Sequence, residues 1–423
     1  MNKKVINSKQ TINSNLEENI VYYTTNDGVK IVAEETSDFL PFSLSFSILS
    51  GSRDEFEQAN GTAHFLEHIL FRRTKRLKSK QIAKEFEKFG AIANAFTTKE
   101  YTSYFVTANF KNFQKVTNLL YEVVFQPEFN EQDLEKERKI IFDEIKSSDE
   151  EPEEILNDKL AEIQFENNLI SLPIAGTLDS VSKITINDIE SFFNNYYISE
   201  NLIVSYAGPN IDEFFKIIES LKFASKKFNK PAQTLKFQNQ SEIEVKTNIS
   251  SQIHLSMTYL TKQCDMKTRM NFALLNIMLT EAMSSRLYQI LREKNGLTYN
   301  IYSGFTNYLD FTELNFFTSF DPKYRNKVYK LIEIEFQKII EKAFTKNEVN
   351  IAKELLKTYS LIENEGSLNK INNLTRQVML YGKVENSKEL ISGISSITLD
   401  YANSMNKDIF DLSKWYKCYL IPD

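Results

Sequence analysis

Cysteine is nearly absent: the 423-residue chain has two, Cys264 and Cys418, and no C-x-x-C pair. That excludes a disulfide framework and fits a reducing compartment. Long apolar runs are missing as well, and no segment reaches the roughly 20 residues needed to span a bilayer, so no membrane partner is expected. The opening stretch, MNKKVINSKQTINSNLEENIVYY, lacks the apolar core of about 7–15 residues that marks a secretory signal. Its first 16 residues hold lysines but neither acids nor arginine, the pattern of a flexible tail over residues 1–20. A cytoplasmic location is the default expectation. There is no basic excess either: the net charge of −6 argues against a dedicated nucleic-acid binder. The run FRRTKRLKSK, residues 71–80, is the local exception, and it reads as a solvated loop and helix start rather than a phosphate site.

Histidine is scarcer than its distribution suggests. The chain has three, and two of them fall within GTAHFLEHILF, residues 61–71. On a helix, His64 and His68 stand at i and i+4, so both imidazoles leave one face about one turn apart. Two ligands of a tetrahedral ion can bridge that separation. Glu67 lies beside His68 on nearly the same face, placed to touch a metal-bound water without itself binding the metal. Phe65, Leu66, Ile69, Leu70 and Phe71 can pack the opposite side against a core and make the helix rigid.

A catalytic zinc usually takes three protein ligands and keeps a fourth position for water. The third histidine, His254, sits far along the chain, so a carboxylate is the expected third donor. LEKERKIIFDEIKSSDEEPEE, residues 134–154, offers one. Its apolar Leu134, Ile140, Ile141, Phe142 and Ile145 alternate with charges as in an amphipathic helix, and Pro152 is its first breaker. Glu137 and Glu144 share a face of that helix; on local pattern alone both also fit a solvated surface.

At this length one ordinary core is exceeded, and two domains of roughly 200 residues are expected. A strand ending at Gly208 is followed by a helix and then by a stretch rich in Lys, Asn, Gln and Pro. This divides the chain into the tail 1–20, a domain over 21–225, a hinge over 226–241 and a domain over 242–423. Each half opens with alternating strand patterns and moves on to long amphipathic helices, the order of an α+β fold. Beyond residue 310 only helical rhythm is legible.

The H-x-x-E-H spacing is the inverted zinc-peptidase signature. With GSRDE before it, ANAFTTKEYTSYF after it and the ER...EI helix beyond, the chain resembles the M16 metallopeptidases. LPIAGTLDSVSKIT, NNYYISENLIVSYAGPN and MSSRLYQILREKNGLTYNIYS extend the likeness in order and spacing from about residue 20 to 310. The resemblance implies two homologous halves, each a mostly antiparallel sheet with helices packed on one face. It implies one zinc per chain on His64, His68 and Glu144, with Glu67 as general base and Glu137 as a supporting carboxylate. In LREKNGLTY it matches Arg292 and Tyr299 to the family's substrate-binding arginine and tyrosine. It makes Asn94, Ala95, Phe96 and Thr97 part of an edge strand onto which a peptide substrate adds as a further strand.

Two departures stand out. Thr280, Glu281 and Ala282 replace a glycine-rich turn before SSRL, and Arg73 replaces a glycine after the histidines. The resemblance further implies a homodimer in which each zinc site is completed by the partner's second half, or a heterodimer with a related chain. Three functions follow: a degrader of short unfolded peptides, a processing subunit that cuts specific precursors, and a catalytically silent scaffold on the same fold. Loss of ligands marks the last, and here all are present.

Overall fold

The computed structural model describes residues 10–13, 19–165, 168–226 and 235–423. Most of the expected tail, and residues 227–234 of the expected hinge, lie outside the described residues. Two compact units result. The first comprises residues 1–145, 172–233 and 363–386, and the second 146–171, 234–362 and 387–423.

The first unit is built on a seven-stranded sheet. Its strands are β1 (Gln10–Asn13), β2 (Asn19–Thr24), β3 (Lys30–Glu35), β4 (Phe42–Ile48), β5 (Ile92–Thr97), β6 (Thr102–Ala108) and β7 (Leu202–Gly208). They lie in the order β1-β2-β3-β7-β4-β6-β5, and every neighbouring pair is antiparallel except β3 and β7.

The central strand β4 shows how the pattern FSLSFSI builds this layer. Phe42, Leu44, Phe46 and Ile48 alternate along it and are fully buried in one core with the helices Thr62–Leu70, Phe113–Phe125 and Ile186–Tyr196. Burial of such side chains contributes about 1.5–3 kcal/mol each. The intervening serines face the other way, and they are buried too. A helix from late in the chain, Ser367–Tyr381, covers that second face. Ser43 and Ser367 share a hydrogen bond of 2.9 Å, Ser205 and Thr375 one of 2.6 Å, and Lys370 pairs with Glu34. Leu374 and Val378 pack there on Ile20, Val32 and Ile203.

The second unit carries a five-stranded sheet of β8 (Glu242–Thr247), β9 (Ile253–Lys262), β10 (Thr298–Asn307), β11 (Phe311–Phe320) and β12 (Trp415–Pro422), ordered β10-β11-β9-β12-β8. Only β12 and β8 run parallel. The helix Pro152–Gln164 belongs here, packing Leu156 and Leu160 on Phe317, Tyr416, Cys418 and Leu420. The preceding helix already ends at Ser148, and Pro152, expected as its breaker, instead opens this one, where its missing N–H costs nothing.

Each unit therefore borrows a helix from the other half of the chain, and the two continuous stretches 21–225 and 242–423 are not the compact units. Periodicity reports which face of a helix is apolar; it does not report which sheet receives that face. The tail of the chain is likewise more than helical, since β11 and β12 are integral to the second sheet. Both are nearly fully buried, so their apolar runs lack the clean alternation that marks a half-exposed strand.

Candidate metal centre

The histidine helix, Thr62–Leu70, begins at Gly61, whose φ of 97° is left-handed, and a Cβ there would meet the Ala175 carbonyl oxygen at 2.7 Å. Glycine cannot cap a helix with a side chain, and Glu55 supplies the missing acceptor. Its carboxyl takes hydrogen bonds from Gly61 N at 2.8 Å, Ala63 N at 2.6 Å and Asn60 Nδ2 at 3.0 Å. Full burial pushes the Glu55 carboxyl up to about 8, against the pull of those three donors.

The rest of GSRDE binds the turn between β5 and β6. Ser52 N and Arg53 N donate to the carbonyls of Thr98 and Lys99 at 3.1 and 3.0 Å, and the Arg53 guanidinium meets Glu100 at 2.6 Å in a buried pair. Gly51 sits so close that a Cβ would lie 2.2 Å from the Thr98 carbonyl. GSRDE is thus the joint that fixes the histidine helix against the β5–β6 hairpin. ANAFTTKEYTSYF, which alternates like a single strand, is two strands and that turn.

Phe65, Leu66, Ile69 and Leu70 are buried, as the helical pattern requires, and they lock the opposite face of the histidine helix into the core. His64 and His68 project together, ring centroids 4.6 Å apart. The helix Glu131–Ser148 delivers Glu144 to them through buried Leu134, Ile141 and Ile145. Glu144 Oε2 lies 3.8 Å from His64 Nε2 and 3.4 Å from His68 Nε2. One donor atom from each of the three residues falls within 4.8 Å of the others.

Tetrahedral zinc ligands at about 2.0–2.1 Å from the ion stand roughly 3.4 Å apart, so this donor set fits the ion that the motif implies. The protonation state fits too. Burial, reinforced by His68, lowers His64 to about 4, leaving the imidazole neutral as a ligand must be. His68 Nδ1 faces Glu137 Oε2 at 3.2 Å, the usual arrangement behind a ligating imidazole.

Glu67 is half-buried beside the histidines. Burial raises its carboxyl, while a 2.6 Å hydrogen bond from Thr97 Oγ1 opposes the rise. β5 pairs with β6 alone among the described residues, so it is an edge of the sheet. Asn94 is exposed there with its Oδ1 accepting from Ala95 N, and Phe96 packs on Tyr101 and Phe105.

Arg292 and Tyr299 lie in the second unit. Tyr299 is 78% exposed at an irregularity in the edge strand β10, where pairing with β11 skips from Thr298 to Ile301. Such a break re-aims side chains. Arg292 Nη1 donates to the Tyr299 carbonyl at 3.1 Å, and its guanidinium sits 4.6 Å from the Tyr299 ring and 5.0 Å from that of Tyr288. Sequence reasoning missed Tyr288, whose signal was its place one turn before Arg292. It also missed the roles of Glu55 and Thr97 in holding the site, which depend on contacts between separate elements.

Comparison with known proteins bears on the family and the fold. Residues 31–178 match the family profile described as Insulinase (Peptidase family M16), and residues 183–356 match that of the Peptidase M16 inactive domain. A protein of Bacillus subtilis named uncharacterized zinc protease YmxG is 26% identical over 388 residues, covering 92% of this chain and 95% of that one. An uncharacterized zinc protease of Rickettsia felis is 30% identical over 372 residues, covering 84% and 87%. A crystal structure of a protease from Helicobacter pylori superposes with a TM-score of 0.87 at 21% identity over 96% of this chain and 100% of that one, which shows a common fold. With both profiles matched in order along most of its length, the chain belongs to peptidase family M16.

Proposed function

We propose that this protein is a zinc-dependent endopeptidase that hydrolyses short, unfolded peptides. The observation that carries this reading is the convergence of His64 Nε2, His68 Nε2 and Glu144 Oε2, with Glu67 alongside. Bound by those three donors, a divalent zinc supplies Lewis-acid chemistry, lowering the pKa of water and polarising a carbonyl. Glu67 takes the proton from the attacking water and passes it to the leaving amine. Thr97 holds the Glu67 carboxylate in place from the edge strand. A substrate peptide adds to β5 as a further strand beside Asn94, Ala95, Phe96 and Thr97, so selection acts on length and extendedness more than on side chains. Tyr299 donates to the substrate carbonyl as negative charge develops, and Arg292 holds the adjacent backbone.

The family resemblance implies that the metal site of one chain is completed by the partner's second half, and since this chain carries both the metal ligands and the Arg292–Tyr299 pair, the assembly proposed is a homodimer with two composite sites around a closed chamber. Zinc stoichiometry measured beside hydrolysis of quenched peptides of graded length tests this function. The expected result is one zinc per chain and cleavage that falls off as peptides grow long or folded. Equal cleavage of a long folded precursor would favour specific processing, and a zinc-free, inactive chain would leave only a scaffold.

A further inference from the structure

The basic run after the histidine helix carries more order than a solvated loop requires. Arg72 Nε pairs with Glu137 Oε1, whose other oxygen faces His68 Nδ1 at 3.2 Å. Arg73 Nε donates to Asp133 Oδ2 at 2.9 Å, and Asn130 Nδ2 reaches the same oxygen at 2.8 Å. Asp133 and Glu137 are one turn apart on the helix that delivers Glu144, and buried Ile141 continues their stripe. Two consecutive arginines at the end of the histidine helix therefore grip the carboxylate helix at two successive turns.

Charge makes the grip more than packing. The side chain of Glu137 is 4% exposed, and a carboxylate so far from water needs a countercharge. A ligating His68 is neutral and offers Glu137 only an N–H. Arg72 provides the full positive charge, so the order Arg72, Glu137, His68 Nδ1–H leaves Nε2 of His68 unprotonated and facing the metal position it shares with His64 and Glu144. Arg73 occupies a position that has no left-handed backbone demand, so a long side chain is accommodated where the family pattern has glycine.

We propose that Arg72 is a positioning residue of the metal centre, acting through Glu137 to fix the tautomer and orientation of His68, with Arg73 pinning the same helix through Asp133. This rests on the zinc reading given above. The test is zinc affinity, measured by competition with a chromogenic chelator, for wild type, R72Q, R72K, E137Q, R72Q/E137Q and H68A, with thermal unfolding of each metal-free protein. R72Q is expected to weaken zinc binding on the order of 10-fold, the scale of lost outer-shell support. R72K should restore part of that, since lysine keeps the charge without the planar fork. The double variant should bind no more weakly than E137Q alone, because the arginine acts through that carboxylate. R72Q should lower the metal-free unfolding temperature, because it leaves the buried Glu137 carboxylate without its countercharge, and R72Q/E137Q should recover part of that loss; zinc affinity of the folded protein then reads positioning apart from stability.

Wild-type affinity in R72Q would overturn the proposal, as would a double variant whose loss is the product of the single losses. Should R72Q not fold, R72K decides: it should weaken zinc in the wild-type background and change nothing in E137Q, and equal losses in both would overturn the proposal. H68A separates the two levels. If H68A binds zinc as wild type does, the metal centre itself is wrong and the proposal falls with it. If H68A loses zinc while R72Q keeps it, only the role of Arg72 falls.

Discussion

Thr97 on the edge strand donates a 2.6 Å hydrogen bond to Oε2 of Glu67 on the histidine helix. Two elements brought together by the fold thus share one contact: the strand expected to hold a peptide and the helix whose carboxylate is expected to take a proton from the attacking water. Replacing Thr97 with Val removes the donor and nearly preserves the shape. A hydrogen bond to a charged group is worth about 1.5–3 kcal/mol, so kcat should fall roughly 10-fold or more while zinc content stays unchanged. Thr97→Ser should retain most activity. Steady-state kinetics beside metal analysis checks this, and an unchanged kcat in the Val variant would remove Thr97 from the site's organisation.

Glu67 and the three donors separate chemistry from metal binding. Glu67→Gln should keep a full complement of zinc and lose activity by about 10²–10⁴-fold, the usual contribution of a general base. His64→Ala, His68→Ala and Glu144→Ala should lose the metal as well. Atomic absorption beside a quenched-peptide assay distinguishes the two classes, and a Glu67→Gln enzyme at full rate would refute its role as base.

His64 makes the stability of metal-free protein pH-dependent. Its folded pKa is lowered to about 4 from an ordinary value of 6.5, chiefly by burial. Between those values the unfolded chain binds a proton that the folded chain does not, so stability rises with pH across this window and is lost as pH falls through it. In chelator, the difference in unfolding temperature between wild type and His64→Asn should therefore shrink or reverse on going from pH 6.5 to pH 4. A difference that holds constant over that range would show that His64 titrates normally.

The composite-site dimer predicts complementation. Inactive His68→Ala protein mixed with inactive Arg292→Ala/Tyr299→Ala protein should recover roughly a quarter of wild-type activity after exchange, because half the dimers are mixed and each has one complete site. Subunit exchange is verified separately, by energy transfer between labelled chains. Absence of recovery despite exchange would mean that each chain completes its own site.

Part of the candidate metal site was legible from residue types at short range. The i, i+4 spacing of His64 and His68 depends on helical geometry alone, and the folded chain keeps it. The helix carrying Glu144 was equally visible in the rhythm of Leu134, Ile141 and Ile145. The alternation that resolves into β5 and β6 was visible too, although the turn at Thr98–Tyr101 was not, because that turn is held by hydrogen bonds to GSRDE nearly fifty residues earlier.

Local periodicity, set by the repeat of helix and strand, was enough by itself to announce two halves, an α+β architecture and a histidine pair facing one way. Tertiary structure alone decided which partners those surfaces meet: Glu144 against the imidazoles, Thr97 against Glu67, Arg72 against Glu137, and helices Pro152–Gln164 and Ser367–Tyr381 on sheets from the opposite half of the chain. The physical reason is that burial and ion pairing depend on distance in space. A sequence records which groups can satisfy one another, and only closure of the long loops between them determines which ones do.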